Sequence, residues 1–414
     1  MNYTYDNRYY ADFSFRMDGS SQFGSDKRFA PFYSIGIGWN IHREHFMRNP
    51  DVINTLRLRM SYGKTGSQQF ASYEALRTYE FYSDKRYMMW NGAELKGLGN
   101  KDLKWQVTDQ YDVGIEIGLW NNRISGTFDV YKKQTNNLLS KMDLPLANGF
   151  DSYTANVGVV DNIGFEASVS GYVVRDTERE IIWMLTGKLA YTKNEIKKLS
   201  EAIKRQTERA LHDNSEINNM LFEGDSQYAI YAVPSLGIDP STGKELFLDA
   251  DGNVTSVWNS SAKRYFGQTE PNSEVILILY LPIRSYGEFE FWLPLGRSAV
   301  NQTLLSKVEV TNSAIQYNVD RRVWADRWQK PGDLKPFKGY GDEATKASSR
   351  FVMDERVFEL QSASVSYRWQ TPFISKLESI NFDLNMSDVF YVSSIKRERG
   401  TNYPFARRME FAIG

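Results

Sequence analysis

Between Tyr33 and Ile41 the chain reads YSIGIGWNI, with Tyr33, Ile35, Ile37, Trp39 and Ile41 apolar and Ser34, Gly36, Gly38 and Asn40 between them. Successive side chains of a β-strand point to opposite faces, so this spacing predicts a strand with one apolar and one polar face. The pattern recurs. Leu56, Leu58, Met60 and Tyr62 alternate with Arg57, Arg59, Ser61 and Gly63, and Tyr111 to Leu119 follows the same rhythm. After Asn121-Asn122 the phase resumes at Ile124, Phe128 and Val130, which predicts a hairpin. Further series run through Ile163 to Val173, Ile181 to Tyr191, Val365 to Trp369, Ile380 to Met386 and Met409 to Ile413. Roughly twelve strands are predicted, each of about nine to eleven residues, the length that crosses a bilayer at a tilt.

The connections predicted between these strands are unequal. Short turns at Trp120–Arg123, Val174–Glu180 and Gln370–Lys376 alternate with long polar loops at Lys64–Gln110, Lys133–Asp161, Lys193–Pro271 and Arg297–Asp354. A transmembrane barrel places short turns on the periplasmic side and long loops outside, whereas a soluble sandwich has no reason to sort its loops. On that reading the dry face meets lipid and the small or polar residues line a lumen. Alternating strands also build soluble sandwiches and propellers, which remain the competing class.

Composition narrows the chemistry. Over 414 residues the net charge is -1, so nothing points to a nucleic-acid partner. Cysteine is absent, which removes disulfides, thiolate metal sites and cysteine nucleophiles together. The 14% aromatic content sits beside a mean hydropathy of -0.50, as expected when apolar surface is distributed by alternation. No run approaches the roughly 18 apolar residues of a membrane helix, and no signal peptide is evident. For a membrane protein this predicts that an N-terminal segment is missing.

Several longer stretches carry a resemblance. FRMDGSSQFGSDKRFAPFYSIGIGWNI (Phe15 to Ile41), LRLRMSYGKTGSQQ (Leu56 to Gln69) and LKWQVTDQYDVGIEIGLWNNRISGTFDVYKKQTNNLL (Leu103 to Leu139) resemble the later part of the SusC/RagA family of TonB-linked outer-membrane transporters. So do GIDPSTGKELFLDADGNVT (Gly237 to Thr255), RRVWADRWQKPGD (Arg321 to Asp333), SSRFVMDE (Ser348 to Glu355) and KRERGTNYPFARRMEF (Lys396 to Phe411). The resemblance implies an all-β, antiparallel transmembrane β-barrel in a Gram-negative outer membrane, of about 22 strands when whole. It implies import of oligosaccharide or peptide cargo, a SusD-type surface lipoprotein as partner, and energy from the TonB complex. Residues 1–414 would be the C-terminal part of that barrel, without plug, TonB box or signal peptide. Two departures stand out. The chain stops at EFAIG, short of the family's usual aromatic terminus. From Glu274 to Val300 the alternation breaks; back-translating Phe289 to Ala299 and reading one nucleotide later permits a sequence that restores both it and the family pattern, so either a pair of compensating frameshifts or ordinary divergence is expected.

The search for catalysis is negative, and no enzyme, cofactor or metal is predicted. GIDPSTGKE has five residues between Gly237 and Gly243 where a phosphate loop has four, and Glu245 stands where that loop needs Ser or Thr. DADGN at Asp249 to Asn253 has its glycine at the fourth position, not the sixth of a calcium loop, so an Asx-type turn is expected. His42 and His45 follow a strand and are expected in a turn. Lys193 to His212 predicts a solvated amphipathic helix through Ile196, Leu199 and Ile203. Trp39, Trp120, Trp183 and Trp369 fall within or at the ends of strands, and those at the ends suit interfacial girdles. Arg321 to Asp333 and Asp18 to Arg28 are expected to fix loop shape.

What remains is binding. The loop from Lys64 to Gln110 holds Tyr73, Tyr79, Phe81, Tyr82, Tyr87 and Trp90, interleaved with Arg77, Lys85 and Arg86. Rings beside polar groups suit sugar faces or peptide side chains, so these six are the candidate ligand-binding residues; packing of the loop, or docking of a cap, would use the same rings. Two classes result: a transporter barrel, and a soluble or surface-attached β-rich carbohydrate-binding protein.

Overall fold

A computed structural model describes residues 1–23, 27–47, 51–67, 73–144, 147, 149–150, 152–176, 181–213, 220–280, 285–295, 297–300, 322–340, 345–370, 379–395 and 407–413. The chain divides into two compact units. The first comprises Met1–Glu166, Thr192–Glu208 and Leu221–Gln227, and the second Ala167–Tyr191, Arg209–Met220 and Tyr228–Gly414.

The first unit holds β1 (Asn2–Tyr5), β2 (Tyr9–Gly19), β3 (Phe29–Asn40), β4 (Ile53–Ser67), β5 (Gln106–Leu119), β6 (Ile124–Asp143) and the first part of β7 (Ser152–Asp176). The second holds the rest of β7, β8 (Ile181–Leu199) as far as Tyr191, then β9 (Ser273–Tyr280), β10 (Ser285–Leu295), β11 (Val357–Gln370), β12 (Ser379–Ser393) and β13 (Met409–Ile413). Among the described residues these thirteen strands form one sheet whose order is the chain order. Pairing is antiparallel from β1 to β6 and from β8 to β13.

Register converts the alternation into two faces. In the first unit one cross-strand row reads Tyr3, Ala11, Ile37, Met60, Val113, Val130. Ile37, Met60, Val113 and Val130 are each 42% to 52% exposed. The neighbouring row on the other face reads Asp12, Gly36, Ser61, Asp112, Tyr131. On that polar face Arg57 pairs with Glu116 at 3.1 Å and Arg59 with Asp129 at 2.5 Å. A Cβ on Gly36 would fall 1.9 Å from the Asp12 carboxylate, so a polar side chain of β2 lies flat across the glycine of β3.

Aromatic rungs close both ends of the apolar rows. At one end Tyr9 and Trp39 stack at 6.4 Å and both donate to Glu44 Oε1, at 2.6 and 2.9 Å. At the other, the Tyr62 ring lies 5.8 Å from Tyr33 and 4.8 Å from Tyr111, and its hydroxyl donates to Asp109 at 2.9 Å. A continuous exposed apolar belt of this kind suits hydrocarbon and not water, and ring girdles mark its two interfaces. The soluble alternative is therefore set aside. No helix among the described residues is long and apolar enough to cross a membrane, which says nothing of strands.

Two expectations change. Strands β6, β7 and β8 run to 20, 25 and 19 residues, so the predicted loop Lys133–Asp161 shrinks to residues 144–151. The cause is a second apolar cluster, in which Met142, Ala155, Val157, Val160, Ile196, Leu199 and Ile203 bury one another beyond the belt. For the same reason Ile196 and Leu199 are strand residues, and the helix α1 begins only at Glu201, running to His212. Within the stretch Glu274–Val300, β9 and β10 pair despite the broken alternation, since a run of Val, Ile and Leu favours extended backbone without it, and Arg297–Val300 pairs with Val352–Glu355. Residues 177–180, 371–378 and 396–406, with parts of the predicted turns Val174–Glu180 and Gln370–Lys376 and of the Lys396 motif, lie outside the described residues, as do 281–284, 296 and 414.

Candidate functional site

The first unit carries the site between β4 and β5. Its base is tied down by short polar links. Asn100 N–H donates to the Glu74 carbonyl at 3.0 Å, and the Asn100 amide donates to the Thr154 carbonyl at 2.9 Å. Asn156 imitates a strand partner: its amide donates to the Lys104 carbonyl at 2.9 Å and its oxygen accepts from Lys104 N–H at 3.1 Å. Below them Phe23, Ala30, Phe32, Ala75, Leu103 and Trp105 form a buried cluster. Gly99 turns there at φ +67°, where a Cβ would meet the Leu76 carbonyl carbon at 2.4 Å, so only glycine fits.

From this base a two-stranded hairpin projects, Thr78–Tyr87 paired with Trp90–Gly97. Tyr79, Phe81, Tyr87 and Trp90 are exposed along it. Tyr82 is held: its hydroxyl donates to Glu94 at 2.5 Å and Lys85 Nζ sits 4.0 Å from its ring centre. That hydrogen bond to a carboxylate raises the Tyr82 phenol above its ordinary pKa, because ionisation would set two negative charges together. Met88 takes φ +53° in the turn, a conformation that glycine adopts without strain.

At the foot of the hairpin lies a cavity of about 330 Å³. Tyr73, Glu74, Lys96, Lys141, Tyr153 and Thr154 are among its lining residues. Tyr73 adopts φ +71°, and a bulky residue held there costs about 1–3 kcal/mol, a strain that tends to collect at working sites. Of the six residues predicted for ligand binding, Tyr73 lines this cavity, whereas Tyr79, Phe81, Tyr82, Tyr87 and Trp90 belong to the hairpin. Sequence reasoning missed Lys141, Tyr153 and Thr154. They arrive from the ends of β6 and β7, and no linear spacing ties them to residues 73–99.

The remaining motifs resolve as structure. Asp239 opens the GIDPSTGKE turn, accepting from Ser241 N–H at 2.9 Å and from the Thr242 hydroxyl at 2.7 Å. Gly243 lies beneath the Trp328 ring, and the Trp328 indole donates to the Pro240 carbonyl at 2.8 Å. Glu245 is buried and accepts from the Ser348 hydroxyl at 2.5 Å and Arg350 at 2.8 Å, so it holds loops rather than magnesium. Asp249 accepts from the Asp251 and Asn253 N–H groups at 3.0 and 2.7 Å, which is an Asx-type turn. Among the described residues no three acids and histidines gather as a metal site. His42 faces the Leu56 backbone at 3.1 Å and His45 faces Arg8 at 2.8 Å, so the pair does not converge. In the Asp18–Arg28 stretch, Ser20 N–H donates to the Arg28 carbonyl, which also accepts from the Trp105 indole at 3.0 Å; residues 24–26 lie outside the described set, as does Arg321 of the other signature.

Comparison with known proteins agrees with this geometry. The family model described as TonB dependent receptor-like, beta-barrel matches residues 1–290. TonB-dependent receptor P3 of Formosa agariphila is 27% identical across 98% of this chain and 41% of its own length. TonB-dependent receptor SusC of Bacteroides thetaiotaomicron is 27% identical across 77% of this chain and 33% of its own. The structure of the RagAB peptide transporter superposes with a TM-score of 0.81 at 24% identity, covering 96% of this chain and 44% of that one. The chain thus spans less than half the length of each of these relatives. With a family match over most of its residues, a SusC-like sequence and a lipid-facing antiparallel wall, the chain belongs to the TonB-dependent receptor β-barrel family of the outer membrane.

Proposed function

We propose that residues 1–414 supply the later barrel wall and outer rim of a TonB-energised importer of oligosaccharides or peptides, which captures cargo together with a SusD-type surface lipoprotein. The supporting observation is the placement of the aromatic hairpin and its cavity on a connection between lipid-facing strands β4 and β5. Exposed rings there meet cargo before the lumen does. The named relatives are receptors and transporters, and the reading requires no bond to be made or broken by this chain.

In cells carrying the full-length gene, uptake of a labelled oligosaccharide panel and a peptide panel should depend on TonB and on a copurifying lipoprotein. Replacing residues 78–97 by a short Gly-Ser linker should lower uptake by roughly tenfold, about 1.4 kcal/mol of capture free energy. Heat-modifiable migration should be unchanged, since among the described residues the two strands of the hairpin pair with each other and not with the barrel sheet. Uptake that continues unaltered without TonB would remove the import reading.

A further inference from the structure

The cavity at the foot of the hairpin has a charge pattern that the import reading leaves unexplained. Three of its lining residues are of the acidic or basic types Glu and Lys. Glu74 accepts from the Thr154 hydroxyl at 3.1 Å, and Lys96 is paired with Glu80 at 3.0 Å. Lys141, near the end of β6, has no acid within ion-pair distance among the described residues. An ammonium on a cavity wall that no acid among the described residues pairs is a ready partner for an anion carried in by a ligand.

The rest of the lining narrows the ligand. Tyr73, Phe150 and Tyr153 offer rings, and Ser152, Thr154 and Glu74 offer hydroxyl and carboxylate oxygens. Rings take the C–H face of a sugar, and side-chain oxygens take its hydroxyls. A peptide captured by strand addition would lie along a free edge of the hairpin, Thr78–Tyr87 or Trp90–Gly97, whereas the pocket offers side chains. The volume lies at the small end of the roughly 300–1,000 Å³ typical of small-molecule sites, suited to a short terminal piece of a longer chain. The walls are stitched by Asn100 and Thr154, so the site is formed before the ligand arrives.

We infer that this cavity binds an acidic sugar residue, one bearing a carboxylate or sulfate, with Lys141 pairing the anion and the Tyr73 and Tyr153 rings taking the sugar. This rests on the import reading for its purpose, though the binding itself does not. The purified full-length receptor, titrated calorimetrically, should bind digalacturonate or a sulfated galactobiose more tightly than neutral galactobiose. Lys141→Ala should weaken the acidic probes by roughly tenfold or more, the scale of one charge-assisted hydrogen bond, and leave the neutral probe alone. Lys141→Arg should retain most of the affinity, and added salt should reproduce the Ala effect. Unchanged heat-modifiable migration of both variants controls for folding.

Equal affinity for neutral and acidic disaccharides, or tighter binding of an acidic tripeptide, would overturn the assignment. So would an Ala variant that binds acidic probes like the wild type. The two proposals fail separately. TonB-dependent uptake of neutral sugars with no binding of acidic ones sinks the site and spares import. Lys141-dependent binding without TonB-dependent uptake of any cargo does the reverse.

Discussion

Arg327 is 1% exposed, donates to the Lys338 and Gly339 carbonyls at 2.9 and 2.7 Å, and lies 4.3 Å from the Tyr340 ring centre. A planar fork satisfies both carbonyls at once, which lysine cannot. Arg327→Lys should therefore cost about 2–4 kcal/mol locally and speed limited proteolysis of residues 322–340. Asp239 gives the pH dependence at this scale. The Thr242 hydroxyl, then Ser241 N–H and hydroxyl, hold its carboxyl below its ordinary value of 3.8. A depressed folded pKa contributes stability above the unfolded value, lost as pH falls through the folded one. Amide protection across residues 239–244, taken relative to the intrinsic exchange rate at each pH, should stay flat from neutral pH to about pH 5 and fall below about pH 4, and Asp239→Asn should abolish that fall. Residue roles were unevenly legible. The Asx turn at Asp249 followed from its own five residues, because its partners are local. Lys141 did not, because its surroundings come from another connection.

Among the elements, the strands were legible wherever one face is wet and the other apolar, as in β3, β4 and β5. They were illegible where both faces are covered. The ends of β6, β7 and β8 are held by Ile196, Leu199, Val157 and Met142, which read as loop or helix because their neighbours are charged or, at Val157, Asn156 and Gly158. Ile196→Ala should cost about 2–5 kcal/mol and loosen exchange protection at these strand ends, with barrel migration in gels preserved. The hairpin poses the opposite test. Met88 occupies φ +53°, so Met88→Gly should tighten the turn by about 1 kcal/mol, seen as slower exchange near Tyr87 and Trp90. A tighter hairpin that takes up cargo less well would show that the strain serves capture.

For the molecule, the membrane-facing rows decide the solvent. Arginine at Ile37 or Ile115 should cost about 2–4 kcal/mol near the bilayer midplane and reduce the folded fraction on gels. Arginine at Ser61, on the polar face, should be tolerated. Topology and membrane residence were legible from alternation, loop asymmetry and motif order; the cavity at the foot of the hairpin was not, because its lining comes from separate connections. The clamp between the two large loops of the second unit also has a consequence in time. Gly339 N–H donates to the Gly243 carbonyl, Trp328 covers Gly243, and Ser349 accepts from Ser235 N–H at 2.9 Å. The β8–β9 and β10–β11 hairpins each close around one of these loops. Whichever end assembly starts from, one hairpin is complete while its loop still waits for its counterpart. During that interval the bridge from Val233 to Ser348 and the bond from the Trp258 indole to the Ala347 carbonyl at 3.1 Å are unmade. These two loops are then the last part to mature and the first a protease can cut, so a defect confined to Trp328 should appear as slow maturation of a barrel already inserted, seen as lasting protease sensitivity in residues 322–340.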